Sequence, residues 1–190
     1  MELRKKSVPS YPYLTVQYLQ KWHEWHQEDA WRVSQTYPIY AIADGVTQKI
    51  YLNLTPPLGP KVVAEIFCAE TIRRLEDFYS HCLSKRILAE AFAVANQAIA
   101  KHNNKTDNPG VTVGAAVVIK RGRLYGARAA DCGFAVLRGG QLFFKTPEFW
   151  SANKLSGRDN YARLDGQFPV VDYLDFFSFP SRLIPRQLVA

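Results

Sequence analysis

The stretch Val111-Thr-Val-Gly-Ala-Ala-Val-Val-Ile119 decides the fold class, because it opens a series of four apolar runs with β character. The other three runs cover residues 124–130, 134–137 and 142–145, and glycine-containing turn signals separate all four. Glycine and charged residues between short apolar runs are typical of turns that join neighbouring strands. The pattern therefore predicts an antiparallel meander in the second half of the chain.

Upstream of that stretch the apolar period lengthens to three and four residues. This spacing predicts one helix over residues 61–81 and a second over residues 84–101. Before the helices, two extended runs at residues 30–33 and 39–43 predict a hairpin, and one further strand is predicted within residues 170–179. The order β-β-α-α-β-β-β-β predicts an α+β domain in which the helix pair covers one face of an antiparallel sheet.

The composition is that of an ordinary globular domain. Of 190 residues, 47% are apolar and 22% are charged, so we expect a single domain over residues 1–190 and exclude a mainly disordered chain. No uncharged apolar stretch reaches the length of a membrane helix, so no membrane partner is expected. The three cysteines, Cys68, Cys82 and Cys132, cannot all pair, and no secretory signal is visible at the N-terminus. Reduced thiols and a cytoplasmic location are therefore predicted.

The formal net charge of +7 favours polyanionic partners such as nucleic acid, acidic lipid headgroups or phosphorylated proteins. Nucleic acid is disfavoured among these, because the aromatic residues occupy core-periodic positions instead of alternating with Lys and Arg on one strand face. The densest basic cluster after the N-terminus, at residues 120–123, is interpreted as a hairpin tip.

Two pairs of residues match the Cys-x5-Arg spacing of cysteine-dependent phosphatases, namely Cys68 with Arg74 and Cys132 with Arg138. That chemistry requires a thiolate at the mouth of a phosphate-binding loop. Cys68 falls inside a predicted helix, and Cys132 lies in a turn that is followed by a predicted strand, so both matches are interpreted as accidental.

A zinc site is another alternative, with His23 and His26 as ligands and Glu24 and Glu28 nearby. It is disfavoured because no second pair of soft ligands accompanies the two histidines.

Carboxylates at predicted strand ends are more informative. Glu28 and Asp29 directly precede the first strand, Asp44 and Gly45 follow the second, and Asp131 lies in a turn after a later strand. If the first two strands are neighbours, their acids come together. Oxygen ligands gathered from strand ends suit hard cations such as Mg²⁺ or Mn²⁺, and the glycine carbonyl can add another ligand.

Four segments occur in the order of the motifs of a known family. They are Gln27-Glu-Asp-Ala-Trp-Arg-Val33, Tyr40-Ala-Ile-Ala-Asp-Gly45, Val111 to Ile119 and Leu124-Tyr-Gly-Ala-Arg-Ala-Ala-Asp-Cys-Gly-Phe-Ala-Val-Leu137. Over about residues 15–145 the chain resembles the metal-dependent type 2C protein phosphatases. This resemblance implies a layered α-β-β-α sandwich with antiparallel sheets, whose C-terminal part is incomplete here.

The resemblance also implies a reaction and the residues that perform it. The reaction is hydrolysis of phosphoserine and phosphothreonine esters in a phosphorylated protein substrate, with Mg²⁺ or Mn²⁺ as cofactor. Glu28, Asp44 and the Gly45 carbonyl would hold one ion, Asp44 would bridge to a second, and Asp131 would serve an accessory ion. Asp29 would hydrogen-bond a water molecule on an ion, so Asp29 and Asp44 are the implied catalytic residues.

The chain departs from the family pattern in ways that bear on activity. Glu24 stands where the family has a phosphate-gripping arginine, and Lys21 or Arg32 are its candidate replacements. Neither Asp165-Gly166 nor Asp159-Asn160 fits the second Asp-Gly and final Asp-Asn motifs of the family. We therefore expect a truncated or degenerate member that binds at most one ion firmly and turns over slowly. The alternative is a catalytically inactive pseudophosphatase that acts as a protein-binding module.

Overall fold

A computed structural model describes residues 28–46, 58–81, 84–138, 141–147, 164–166, 174–180 and 188–189. The helices in these ranges are α1 (Leu58–Asp77) and α2 (Lys85–Asn103). The strands are β1 (Ala30–Val33), β2 (Ile39–Gly45), β3 (Thr112–Lys120), β4 (Arg123–Ala129), β5 (Ala135–Arg138), β6 (Gln141–Lys145), β7 (Leu174–Pro180) and β8 (Leu188–Val189).

The strands form two antiparallel sheets. Sheet A has the order β1-β2-β3-β4-β7, and sheet B has the order β6-β5-β8. Both described helices pack on one face of sheet A, and sheet B packs on the other face. The α+β class is therefore confirmed, with three layers in the described part of the chain. The second helical layer implied by the resemblance is not among the described residues.

The predicted single meander is wrong beyond β4. The tip at residues 120–123 does join β3 to β4, with Arg121 and Gly122 in the left-handed region at φ 46° and 71°. The following turn carries the chain out of sheet A and into sheet B, and β7 takes the place beside β4. The reason lies at Gly126, where a Cβ would be 2.6 Å from the Phe134 ring. Because the Phe134 ring packs on β4 at Gly126, which has no side chain, the chain folds back over sheet A.

Both helix predictions are confirmed, with shifted ends. Helix α1 begins at Leu58 instead of residue 61 and ends at Asp77 instead of residue 81. Pro60 in its first turn is tolerated, because the first amide groups of a helix have no partner within the helix. Helix α2 begins after Ser84, whose hydroxyl oxygen accepts a hydrogen bond from the Ile87 amide at 3.4 Å.

The larger core lies between the helices and sheet A. The fold-deciding stretch contributes Gly114 and Ala116 to this face, and these small residues let the helix layer approach closely. Phe67 of α1 and Phe92 of α2 are fully buried and meet edge to face with ring centroids 5.0 Å apart. A Cβ at Gly114 would lie 2.3 Å from the Phe67 ring, so this glycine is required by packing.

Candidate metal centre

The register of sheet A brings two of the acidic pairs to one end of the sheet. Ala30, the first residue of β1, pairs with Ala43 of β2. Glu28 and Asp29 therefore precede β1 at the same end at which Asp44 follows Ala43. Strand alternation places Ala43 on the helix-facing side and the Asp44 side chain on the opposite side.

Gly45 lies where three segments meet. A Cβ on this residue would be 2.7 Å from the Pro60 carbonyl oxygen and 2.9 Å from the Glu28 carbonyl oxygen. Only glycine permits main-chain atoms to approach so closely. The end of β2, the residues before β1 and the first turn of α1 are therefore held in mutual contact.

The Asp44 carboxyl group is the electrostatic centre of a cluster that also contains Glu28, Asp29 and Asp131. Its pKa is raised from the ordinary value of 3.8 to about 6, first by partial burial and then by the charge of Asp29. A hydrogen bond between these two carboxyl groups and the charges of Asp131 and Glu28 raise the pKa further. Three acidic side chains thus act on Asp44, although part of Asp44 is exposed to solvent. Crowded carboxylates of this kind favour binding of a cation.

The chemistry of the donor set fits a hard divalent ion, although the carboxylates are not gathered into a finished shell. Within the described ranges, no three His, Cys, Asp or Glu side chains converge tightly enough to hold an ion. The carboxylates of Asp29, Asp131 and Glu28 are near enough to influence the pKa of Asp44. Carboxylate and carbonyl oxygens are the ligands that Mg²⁺ and Mn²⁺ prefer.

Asp131 lies on an exposed turn immediately after β4. Its predecessor Ala130 has φ 58°, in the left-handed region that favours glycine. The type 2C pattern has Gly-Asp-Ser at this turn, and here Ala130 adopts the glycine-like conformation at a cost of about 1–2 kcal/mol. The acid is thus presented by a strained turn.

The two free cysteines in the described residues are poor nucleophile candidates. Burial raises the pKa of the Cys68 thiol to about 12. Burial also raises the pKa of the Cys132 thiol, and the charges of Asp44 and Asp131 raise it further. Both thiols are therefore protonated at neutral pH, which agrees with the interpretation of the two Cys-x5-Arg matches as accidental.

Two side chains that sequence reasoning did not assign to the site hold the main chain of its aspartates. Lys61 Nζ donates a hydrogen bond to the Asp29 carbonyl oxygen at 2.6 Å. Thr112 Oγ1 donates to the Asp44 carbonyl oxygen at 2.7 Å. Nothing in the sequence distinguishes Lys61 from the other basic residues, because its partner lies 32 positions away. Thr112 was visible only as the start of a strand.

Other sequence candidates lie away from the cluster. Arg32 shares the helix-facing side of β1 with Ala30 and influences the pKa of Cys68, so it is on the opposite face from the Asp44 side chain. The segment at Asp165 is held on α2, where Asn103 Nδ2 donates to the Asp165 carbonyl oxygen at 3.1 Å. Several further candidates lie outside the described residues: Lys21, His23, Glu24, His26, Cys82, Asp159 and Asn160.

A pH prediction follows from the raised pKa of Asp44. Between about pH 4 and 6 the folded state retains a proton that the unfolded state has lost, so stability falls as pH rises through this window. Thermal unfolding of the metal-free chain should show this fall, and Asp44→Asn should flatten it relative to the parent. Identical pH profiles for parent and variant would contradict the electrostatic description of the cluster.

Comparison with solved structures places this arrangement among known folds. The serine/threonine phosphatase PstP/Ppp of Mycobacterium tuberculosis matches with a TM-score of 0.61 at 18% sequence identity, over 83% of this chain and 68% of PstP/Ppp. The chain has the type 2C phosphatase fold. Neither a protein-family model nor a curated protein sequence matches it.

Two further structures share the type 2C fold. The catalytic domain of PstP in complex with two manganese ions matches with a TM-score of 0.56 at 17% identity, over 83% of this chain and 67% of that one. The photosystem II phosphatase PBCP matches with a TM-score of 0.53 at 19% identity, over 80% of this chain and 54% of PBCP. Likeness at this level of identity establishes the fold, and function has to be argued from the site.

Proposed function

We propose that this chain is a metal-dependent phosphatase domain that hydrolyses phosphoserine or phosphothreonine esters with Mg²⁺ or Mn²⁺. The observation that carries the proposal is that Glu28, Asp29 and Asp131 raise the pKa of Asp44 at one end of sheet A, in a chain with the type 2C fold. The resemblance singles out the same acids. The structural neighbours are phosphatases, and one of them is in complex with two manganese ions.

Each residue of the proposed centre has a distinct task. Glu28, Asp44 and the Gly45 carbonyl would hold an ion, and Asp131 would supply a further carboxylate. When bound, divalent ions activate water for in-line attack on phosphorus and neutralise charge on the phosphoryl oxygens. Asp29, hydrogen-bonded to Asp44, would orient the attacking water and accept its proton.

The proposed activity is slow, because the described acids complete only part of a two-ion site. Asp175, a possible additional ligand, is engaged in an ion pair with Arg128 at 2.9 Å. Asp165 lies in a segment held on α2 through its carbonyl oxygen. A loss of about 4 kcal/mol of transition-state stabilisation lowers a rate about a thousandfold. We therefore expect turnover well below that of a complete centre.

Phosphate release from an aryl phosphate tests the proposal. The parent should show slow turnover that requires Mn²⁺ and disappears with a chelator. A Cys68→Ser, Cys132→Ser double variant is the matched control, because both thiols are protonated and should be dispensable. Firm Mn²⁺ binding without turnover would favour the pseudophosphatase that binds proteins. Absence of Mn²⁺ binding would contradict the metal centre. Loss of turnover in the double variant, together with thiolate-like alkylation of the parent at neutral pH, would favour a cysteine mechanism.

The proposed partner is a phosphorylated protein. No helix within the described ranges is long and apolar enough to cross a membrane. The cytoplasmic location and the exclusion of nucleic acid stay predictions from the cysteine count and from the placement of aromatic residues.

A further inference from the structure

We infer that Lys61 is a positioning residue, which holds the segment Glu28–Asp29 so that its two carboxylates face Asp44. The inference rests on the proposed function and adds to it a residue that the type 2C resemblance does not assign. It is motivated by the hydrogen bond that Lys61 Nζ donates to the Asp29 carbonyl oxygen at 2.6 Å.

The location of Lys61 links α1 to the lead-in of β1. Lys61 directly follows Pro60, whose carbonyl oxygen would lie 2.7 Å from a Cβ on Gly45. The same hypothetical Cβ would lie 2.9 Å from the Glu28 carbonyl oxygen. The first turn of α1 therefore touches both acidic segments, and Lys61 ties one of them through a charge-assisted hydrogen bond. Such bonds are shorter and stronger than neutral ones.

The main-chain contact is the important interaction of this lysine. Its ion pair with Glu65 has Nζ and Oε1 3.6 Å apart, and the Glu65 side chain is 60% exposed. Exposed pairs of this kind contribute about 0–1 kcal/mol. The Lys61 side chain itself is 30% exposed.

Groups that orient metal ligands without touching the metal have measurable effects on affinity. Removing such a partner typically weakens metal binding by about 10- to 100-fold. For Lys61→Met, which retains an unbranched apolar stem, we expect Mn²⁺ affinity to fall at least about tenfold. Lys61→Arg, which retains a cationic donor, should restore most of the affinity.

Two matched controls separate this role from a general effect of charge. Lys105→Met removes a positive charge from an exposed lysine just beyond α2, and should leave Mn²⁺ affinity within about twofold of the parent. Glu65→Gln removes the exposed ion pair alone and should also have little effect. Circular dichroism establishes that each variant is folded, and Lys61→Gln provides a second test if the methionine variant is not.

The experiment combines calorimetric titration with Mn²⁺ and amide hydrogen exchange of the metal-free chain. Faster exchange at the β1 amides that pair with β2 in Lys61→Met, but not in Lys105→Met, together with the loss of affinity, is the expected result. Unchanged exchange at these amides, or Mn²⁺ affinity within twofold of the parent, would overturn the inference. If the parent binds no Mn²⁺, the proposed function fails, and the exchange comparison alone decides whether Lys61 holds the segment.

Discussion

Asp44→Asn is expected to weaken Mn²⁺ binding about a hundredfold, which corresponds to about 2.7 kcal/mol of binding free energy. Asp44 is the carboxylate on which the charges of Asp29, Asp131 and Glu28 converge, and it is the only one proposed to contact two ions. Asparagine has nearly the same shape but carries no charge. The variant should therefore fold as well as the parent, and calorimetric titration should show the loss of affinity directly.

The matched control is Asp77→Asn. Asp77 ends α1, and its side chain is 50% exposed in ion pairs with Arg73 and Arg74. It lies about 25 Å along the helix axis from Pro60, beside the cluster. Mn²⁺ affinity should be unchanged in this variant. Equal affinity in Asp44→Asn and Asp77→Asn would contradict the proposed centre.

Asp175→Ala is expected to destabilise the fold by about 3 kcal/mol, because it leaves the buried Arg128 guanidinium without its ion-pair partner. Arg128 of β4 is only 3% exposed, and its Nε and Nη2 atoms bind Asp175 Oδ2 at 3.0 and 2.9 Å. After the substitution, the Pro147 carbonyl oxygen, 2.6 Å from Nη1, is the remaining acceptor that the structure shows. Urea unfolding of the metal-free chain measures the loss.

The reverse substitution should cost less. Arg128→Met removes the buried charge and leaves Asp175, whose side chain is 54% exposed and can be hydrated. We expect Arg128→Met to lower the free energy of unfolding by about 1 kcal/mol. The Arg128→Met, Asp175→Ala double variant should have nearly the same stability as Arg128→Met alone. Asp107→Ala, on an exposed turn, is the control and should be neutral. A larger loss for Arg128→Met than for Asp175→Ala would mean that packing of the arginine stem dominates.

The helices and the first two strands could be predicted from the sequence because their signals are local. Apolar spacing identified α1 and α2, and the hairpin of β1 and β2 implied that the acids before and after it meet at one end of a sheet. These features depend on residues that are close along the chain.

The features that could not be predicted depend on distant contacts. The passage from sheet A to sheet B follows from Phe134 covering Gly126, which is a packing event with no periodic signature. The hydrogen bond from Lys61 to Asp29 joins residues 32 positions apart, and strand β8 has only two residues. The strain at Ala130 becomes visible only as a backbone angle.

The passage between the sheets has a thermodynamic consequence for the centre. Asp44 belongs to sheet A, whereas Asp131 lies in the segment that connects sheet A to sheet B. Just after Asp131, the Phe134 amide donates a hydrogen bond to Thr146 Oγ1 at 3.2 Å, and the Thr146 amide donates one to the Phe134 carbonyl oxygen. An ion held by both Asp44 and Asp131 would connect sheet A to the segment that leads into sheet B. By linkage, such an ion stabilises the docked arrangement of the two sheets, and tighter docking raises affinity for the ion by the same factor. Occupancy of the proposed centre would thereby be coupled to the packing of the two sheets.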